Sequence, residues 1–284
     1  RVTGKVDTFA PHARIIHMDI DTTQIGRNVP VEVPVVGDAK ALLHQLAPMV
    51  TNTPRPEWMQ FIENLKQDHP SLSIPPSDVL QAQQVLSALD IVFQEDPETT
   101  VVTGVGQHQM WAAQFLSFNH ENTFISSGGL GAMGFEIPAA LGAQVGKPNA
   151  PVWSVAGDGG FQMTNQELMT LAEEKLPVKI ALINNGYLGM VRQWQEMYFE
   201  NHLKAVPIRG PDFVMLAESY GVSAVRVTEQ EDVLPALRQA QAHDGPFLIE
   251  FVVDSNTNVY PMVPPGGSLA DTIEDPAVAT NTVT

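Results

Sequence analysis

The 284-residue chain contains no cysteine, so disulfides and thiolate-bound zinc are excluded. Basic residues are scarce, with 15 Lys and Arg against 32 Asp and Glu and a formal charge of −17. That balance, with no basic run to offset it, excludes a nucleic-acid partner. An anionic ligand would have to be met through a metal. No apolar stretch is long enough to span a bilayer and no signal peptide is visible, so no membrane role is expected and a cytoplasmic location is. What remains is 44% apolar and 17% charged, an ordinary globular composition with enough length for one large or two modest domains. The chain opens on Arg1 rather than methionine, and Thr3-Gly4-Lys5 shows neither cap nor strand. It reads as a piece that begins inside a domain.

One stretch organises the rest. Residues 151–156 form an apolar run, expected as a buried strand, that ends on Gly157-Asp158-Gly159-Gly160. Residues 164–175 carry Leu168, Met169, Leu171 and Ala172 at helical spacing, and Pro177 stops that helix. A second apolar run, 178–183, ends on Asn184-Asn185-Gly186. Strand, helix, strand is a parallel unit with a right-handed crossover, so both polar tips should emerge at the carboxyl edge of one sheet, where open α/β sheets bind ligands. Asp158 and Asn185 would then offer one carboxylate and one amide oxygen, a sparse hard set that suits Mg²⁺, which takes its other ligands from water and phosphate. The neighbouring glycines would let backbone N–H groups face those phosphates.

Before this stretch, residues 14–20 read as a strand ending in Asp19 and Asp21, 31–36 as a second strand ending at Gly37-Asp38, and 39–46 as a helix. Acidic residues at such strand ends either hold a ribose hydroxyl or serve only the turn. These first 46 residues look like the tail of a doubly wound domain. Residues 47–77, broken by Pro48, Pro54, Pro56, Pro70, Pro75 and Pro76, read as a linker with a helix at 57–67. Asp78 reads as the N-cap of a helix over 79–93 that opens a second domain, 78–284. Strands are expected at 99–103, 123–126, 222–227 and 247–253, with helices at 135–145, through 193–194, at 212–220 and at 231–242. The alternation predicts an α/β fold, a doubly wound, mostly parallel six-stranded sheet preceded by the remnant of a second α/β domain. Beyond Pro264 the tail is expected to be loose.

Four strand tips carry ligand-suited residues: Gln107-His108, Gly131 to Met133, Asp158 to Gly160, and Asn185 to Met190. Met133, Met163 and Met190 are candidate soft walls for a ring system, against the alternative that each is core. His108 is either an acid/base group or a structural imidazole, and Gln107 either holds a phosphate or caps a helix. Arg192 and Trp194 either charge and wall a carboxylate pocket or simply pack. Glu167 either ionises near the cleft or lies on a solvated helix face.

Gly157-Asp158-Gly159, followed after 24 residues by Asn184-Asn185, resembles the thiamine diphosphate motif. The segments GVGQHQMWAAQ (104–114), SSGGLGAMGFEIPAALGAQV (126–145), GMVRQWQ (189–195) and PMVPPGG (261–267) narrow the likeness. They resemble the large catalytic subunit family of acetolactate synthase (acetohydroxyacid synthase), and the likeness covers nearly the whole chain. The resemblance implies that Asp158, Asn185 and the main-chain oxygen of Tyr187 hold Mg²⁺. It implies that Gln107, His108, Gly131, Ala132, Met133, Gly159, Gly160, Met163, Gly186, Tyr187, Leu188, Gly189 and Met190 line thiamine diphosphate, with Met133 bending the cofactor. Met190 and Trp194 would shape the substrate channel, while Asp19, Ile20, Gly37 and Asp38 match positions at the adenine and ribose side of FAD.

The implied reaction is decarboxylation of pyruvate and condensation with a second 2-ketoacid, pyruvate or 2-ketobutyrate. The products would be 2-acetolactate or 2-aceto-2-hydroxybutyrate, in branched-chain amino acid synthesis. The family's catalytic glutamate is expected upstream of Arg1, so no certain catalytic residue falls in this chain and the piece alone is expected not to turn over. Homodimers or homotetramers and a small regulatory subunit are implied. Glu136 departs from the pattern, standing where a small residue is expected. The alternatives are another thiamine diphosphate enzyme (a pyruvate oxidase, an oxoacid decarboxylase or glyoxylate carboligase) or a non-catalytic cofactor-binding module.

Overall fold

A computed structural model describes residues 4–70 and 72–279. The chain divides into two units, Arg1–Ser73 with Tyr260–Thr284, and Ile74–Val259.

In the first unit, β1 (Ile16–Asp19) and β2 (Val33–Val36) pair in parallel, with Asp19 opposite Val36. Helix α1 (Ala39–Leu46) follows at once, because Asp38 accepts a hydrogen bond from the Ala41 N–H and so satisfies a donor the helix leaves free. Helix α2 (Pro56–Asp68) places a proline in its first turn, where no N–H is needed. The segment beyond Pro264, expected loose, is pinned instead. Met262 pairs with Ile273, and a 3₁₀ turn at Leu269–Asp271 is held by Ser268 and Asp271, whose carboxylate accepts from the Ser268 N–H. Residues 280–284 lie outside the described residues.

The second unit is a six-stranded parallel sheet. Its strands are β3 (Thr100–Thr103), β4 (Phe124–Ser126), β5 (Val152–Gly157), β6 (Lys179–Asn184), β7 (Ser223–Val227) and β8 (Phe247–Val252). They lie in the order β4-β3-β5-β6-β8-β7. Helices cover both faces: α3 (Ala82–Phe93), α4 (Gln107–Phe115) and α10 (Gln230–Ala242) on one, α5 (Glu136–Gly146), α7 (Glu167–Glu173) and α9 (Phe213–Ser219) on the other. Both faces being buried explains why the central strands read as unbroken apolar runs. Side chains still alternate. Trp153 and Val155 of β5 enter the core layer with Leu86, Leu89 and Leu237, while Val152 and Ala156 enter the other with Ile137, Leu168 and Phe213.

Two local expectations change. Asp78 does not cap α3; the helix starts at Ala82, and Gln84 accepts from the Gln81 N–H to close its first turn. The region after β5 is not a loop followed by one helix over 164–175. Helix α6 (Asp158–Thr164) begins on the motif aspartate itself, and α7 follows after a short break.

Strand order decides where a ligand can go. From β3 the chain runs outward to β4, then returns to place β5 on the other side of β3. The reversal leaves a crevice outside the carboxyl ends of β3 and β5, with β6 next in line.

Candidate functional site

A cavity of about 260 Å³ opens at this reversal. Its wall comes from three tips: Val105 to Trp111 after β3, Gly157 to Gly160 at the end of β5, and Asn185 with Tyr187 to Val191 after β6. Met133 and Ile183 complete it. Asp158 and Asn185, distant in sequence, face this one hollow because β5 and β6 are direct neighbours.

Asp158 is buried and its carboxylate is clamped by main chain from both tips. Oδ1 accepts from the Gly159 N–H at 2.9 Å and Oδ2 from the Gly186 N–H at 2.9 Å. Burial pushes its pKa up to about 7 against the opposing pull of these donors, and the Glu250 charge raises it further. The turn carrying Gly186 has φ +71°, a left-handed conformation that glycine adopts without a Cβ penalty. Asn185 donates from Nδ2 to Gln107 Oε1 at 3.2 Å, and its Oδ1 accepts from the Tyr187 N–H at 3.1 Å. Helix α8 (Gly189–Tyr198) starts directly after this turn.

Gln107 is not a helix cap. Its Nε2 donates to Gln193 Oε1 at 3.0 Å and to the Thr257 carbonyl at 3.2 Å, so it ties α4 to α8 and to the segment that follows β8. His108 is buried, and burial pushes its pKa down to about 4, so the imidazole is neutral at pH 7. It is therefore no acid/base group in its natural range. Its Nε2 is buried without a hydrogen-bond partner at a residue that lines the cavity. The ring lies so close to the main chain that a Cβ on Gly157 would sit 2.7 Å from Nδ1.

Several expected residues lie off the cavity wall. Gly131, Ala132, Gly186 and Met163 do not line it. The tip after β4 sits at the sheet edge beyond β3 and reaches in only through Met133. Met163 is 54% exposed, and Gly186 contributes through its N–H instead. Trp194 also stands outside, half exposed and edge-on to Tyr198 at 5.6 Å between ring centroids. Arg192 does not charge a pocket. It is buried, its Nη2 donates to Asn256 O, Thr257 O and Asn258 Oδ1, and its Nη1 pairs with Glu196. Glu167 does not line the cavity either. In the first unit Asp19, Ile20, Gly37 and Asp38 gather at the carboxyl edge of β1 and β2, where the Gly37 N–H donates to the Asp19 carbonyl. Asp19 Oδ1 accepts from the Asp21 N–H and Ile20 is exposed.

Two features escaped the reading of the residues. Glu250, on β8, accepts from Asn184 Nδ2 at 2.7 Å beside the Asn185 turn; it sits inside an apolar strand run, and a lone acid there was the only sign. Glu136, noted as an oddity, is fully buried, and neither carboxylate oxygen has a well-formed hydrogen bond. Its carboxyl fills the space that Cβ atoms on Gly104 and Gly160 would need. Burial pushes its pKa up to about 7, and the pull of the nearby N–H groups of Glu136 and Gly134 offsets this only in part.

Among the described residues no group of three or more His, Asp or Glu side chains is arranged to hold a metal. A cation at Asp158 would need amide, main-chain, water or ligand oxygens, which is the habit of Mg²⁺. The donor set, the glycine-lined turns and the apolar wall of Val105, Met133, Leu188 and Met190 fit a metal-linked diphosphate carrying a ring system.

Comparison with known proteins adds to this geometry. Residues 104–251 match the family model for the thiamine pyrophosphate enzyme C-terminal TPP binding domain, and residues 1–46 match that for the central domain of the same enzymes. The chain is 48% identical over 283 residues to the acetolactate synthase large subunit of Corynebacterium glutamicum, covering 95% of this chain and 45% of that protein. It is 41% identical over 275 residues to the acetolactate synthase isozyme 2 large subunit of Escherichia coli, covering 96% and 49%. It is 42% identical over 289 residues to a probable acetolactate synthase large subunit of Methanocaldococcus jannaschii, covering 96% and 48%. The chain thus spans about half the length of the curated relatives it matches.

Proposed function

The chain belongs to the thiamine pyrophosphate enzymes, and on that premise we propose that Asp158, Asn185 and the Tyr187 main-chain oxygen hold a Mg²⁺ ion through which the cavity grips thiamine diphosphate. One observation carries the reading: Asp158 and Asn185 line the same hollow, and the Gly186 N–H bonds one tip to the other's carboxylate. His108 Nε2 and the main chain at Gly159 and Gly160 are the groups offered to the diphosphate. Gly131, Ala132 and Met163 belong to its outer margin. Met133, Leu188, Gly189 and Met190 form the surface against which the ring system rests.

When bound, thiamine diphosphate supplies the stabilised carbanion needed to decarboxylate a 2-ketoacid. The residues of this chain bind, orient and dry it. Met133, on the cavity wall, would support the ring system, and the apolar wall would exclude water from the reacting centre. Met190 and Trp194 bound the channel through which ketoacids enter.

In the whole protein we assign decarboxylation of pyruvate and condensation with a second pyruvate or 2-ketobutyrate, supported by similarity to acetolactate synthase large subunits across 95% of this chain. FAD in the whole protein would be met at the carboxyl edge of β1 and β2 by Asp19, Ile20, Gly37 and Asp38. Residues 1–46 would then be the end of the central domain, 47–77 a linker, and the remainder the cofactor domain. Assembly as a homodimer or homotetramer, a small regulatory subunit and a cytoplasmic location complete the proposal. Among the described residues no helix is long and apolar enough to cross a membrane.

Calorimetric titration with thiamine diphosphate, with and without Mg²⁺, tests the site. Binding should require the metal, and Asp158→Asn should weaken it at least about a hundredfold, since a charged metal ligand is lost. Equal binding without Mg²⁺, or by the variant, would overturn the assignment.

A further inference from the structure

The Asn184-Asn185-Gly186 turn owes its shape to a residue from another strand. Glu250 sits in the middle of β8, opposite Leu182 of β6 and Arg226 of β7, and is only 3% exposed. Its Oε1 accepts from Asn184 Nδ2 at 2.7 Å and its Oε2 from Arg226 Nε at 2.7 Å. Arg226 in turn pairs through Nη2 with Asp212 at 2.8 Å, and Asp212 caps α9. A carboxylate accepts hydrogen bonds and cannot donate them, so the Asn184 amide has one possible orientation, nitrogen toward Glu250. Its oxygen then points into the turn, where Oδ1 accepts from the Gly186 N–H at 3.2 Å. That N–H is shared with Asp158 Oδ2 at 2.9 Å. An amide turned the other way would set its NH₂ against the Gly186 N–H, donor against donor.

We propose that Glu250 is a positioning residue for the cofactor site: by fixing the Asn184 amide it fixes the Gly186 N–H, which holds the Asp158 carboxylate in the cavity. The inference rests on the reading of Asp158 as a ligand of Mg²⁺, and it adds a buried side chain that touches neither metal nor cofactor. A merely structural role, an ion pair that joins β7 to β8, would require Glu250 only as a partner for Arg226. The two roles separate on donor–acceptor parity.

In Glu250→Gln the new side chain either sets its NH₂ against Arg226 Nε or sets it against Asn184, turning that amide and breaking the turn. Asn184→Asp alone places two carboxylates together. In the double variant every donor again meets an acceptor. The oxygen of the introduced amide accepts from Arg226, and its NH₂ donates to the introduced carboxylate, which in turn accepts from the Gly186 N–H.

The experiment compares the full chain with these three variants by two readouts, with circular dichroism as the check on folding. Hydrogen–deuterium exchange of the 184–188 segment, without cofactor, reads the turn directly. Mg²⁺ titration at fixed thiamine diphosphate, followed by tryptophan fluorescence, reads the site. We expect E250Q and N184D each to speed exchange and to raise the Mg²⁺ needed for half-saturation about tenfold, the loss of one hydrogen bond to a charged group. The double variant should return both within about threefold of the parent.

If E250Q fails to fold, the comparison of N184D with the double variant decides, because the second substitution must then improve the first. The proposal is overturned by parent-like exchange and Mg²⁺ response in E250Q, or by a double variant no better than N184D. If the parent itself shows no metal-dependent response, the Mg²⁺ reading of Asp158 is what fails, and the exchange arm still decides the role of Glu250.

Discussion

At the scale of single residues, the site is built by close approach as much as by functional groups. Glu136 shows this, with its carboxyl pressed into the space beside Gly104 and Gly160. A fully buried acid whose pKa rises from 4.5 to about 7 favours the folded state only while protonated. Its contribution is complete below its unfolded value and is lost as pH rises toward 7. The difference is about 3 kcal/mol, on the order of 1.4 kcal/mol per pH unit. Glu136→Gln cannot ionise, so urea unfolding at a series of pH values should show the parent losing stability between pH 5 and 8 relative to the variant. A constant difference across that range would show that Glu136 is solvated in the folded chain.

The same contact makes a steric prediction. A Cβ at residue 160 would lie 2.5 Å from Glu136 Oε1, so Gly160→Ala should cost about 1–3 kcal/mol by overpacking. Adding Glu136→Gly should recover most of it, measured as a double-mutant cycle of unfolding midpoints.

At the scale of elements, α8 is held by a buried cation. Arg192 of this helix binds two carbonyls and an amide oxygen in the 256–258 segment that follows β8. Gln193, one residue on, accepts from the Val259 N–H at 2.8 Å. These two residues anchor the start of α8, which presents Met190 and Val191 to the cavity. Arg192→Met would remove the buried guanidinium and leave Asn256 O and Asn258 Oδ1 without it, while Thr257 O keeps its bond from Gln107, and a loss of about 1–3 kcal/mol is expected. Tryptophan fluorescence during urea unfolding would measure it through Trp194, two residues away. An unchanged midpoint would show that the 256–258 segment holds its place without the arginine.

The elements also show why sequence reading succeeded in some places and failed in others. The parallel strands were legible because burial on both faces requires apolar runs, and a run such as 178–183 has no other comfortable fate in a chain of this polarity. The start of α3 was misread because Asp78 has the chemistry of a cap, whereas the helix is closed by Gln84 reaching back to residue 81. Propensity names candidates for a cap, but the path of the chain selects among them. Arg192 stays open between two readings in the sequence for a similar reason. A guanidinium near a cavity looks like an anion site until the loop supplying its acceptors, some 64 residues away, is in place.

At the scale of the whole molecule, the sheet, both core layers and the cavity all fall within Ile74–Val259. This unit, produced alone, should therefore unfold cooperatively and keep Mg²⁺-dependent binding of thiamine diphosphate within about tenfold of the full chain, since no residue assigned to the site is removed. Non-cooperative urea unfolding, or loss of binding, would show that the other unit contributes to the site. Acetolactate formation from pyruvate by the 284-residue chain should be negligible even with cofactors supplied, because it spans only about half the length of the acetolactate synthase large subunits it matches. Substantial turnover would show that this half suffices for the reaction.

Read alone, the sequence established the class of fold, the family and the two tips that bring Asp158 and Asn185 to one hollow. These follow from local facts: apolar runs must be buried, glycines mark close approaches, and a spacing between two polar turns defines one strand–helix–strand unit. Only the tertiary structure decided which side chains share a space. The order β4-β3-β5-β6-β8-β7 brings Gln107 to Asn185, leaves Gly131 and Ala132 at the margin, and carries Glu250 across to Asn184. Those meetings depend on which strands become neighbours, and a strand's own residues do not encode its neighbour's identity.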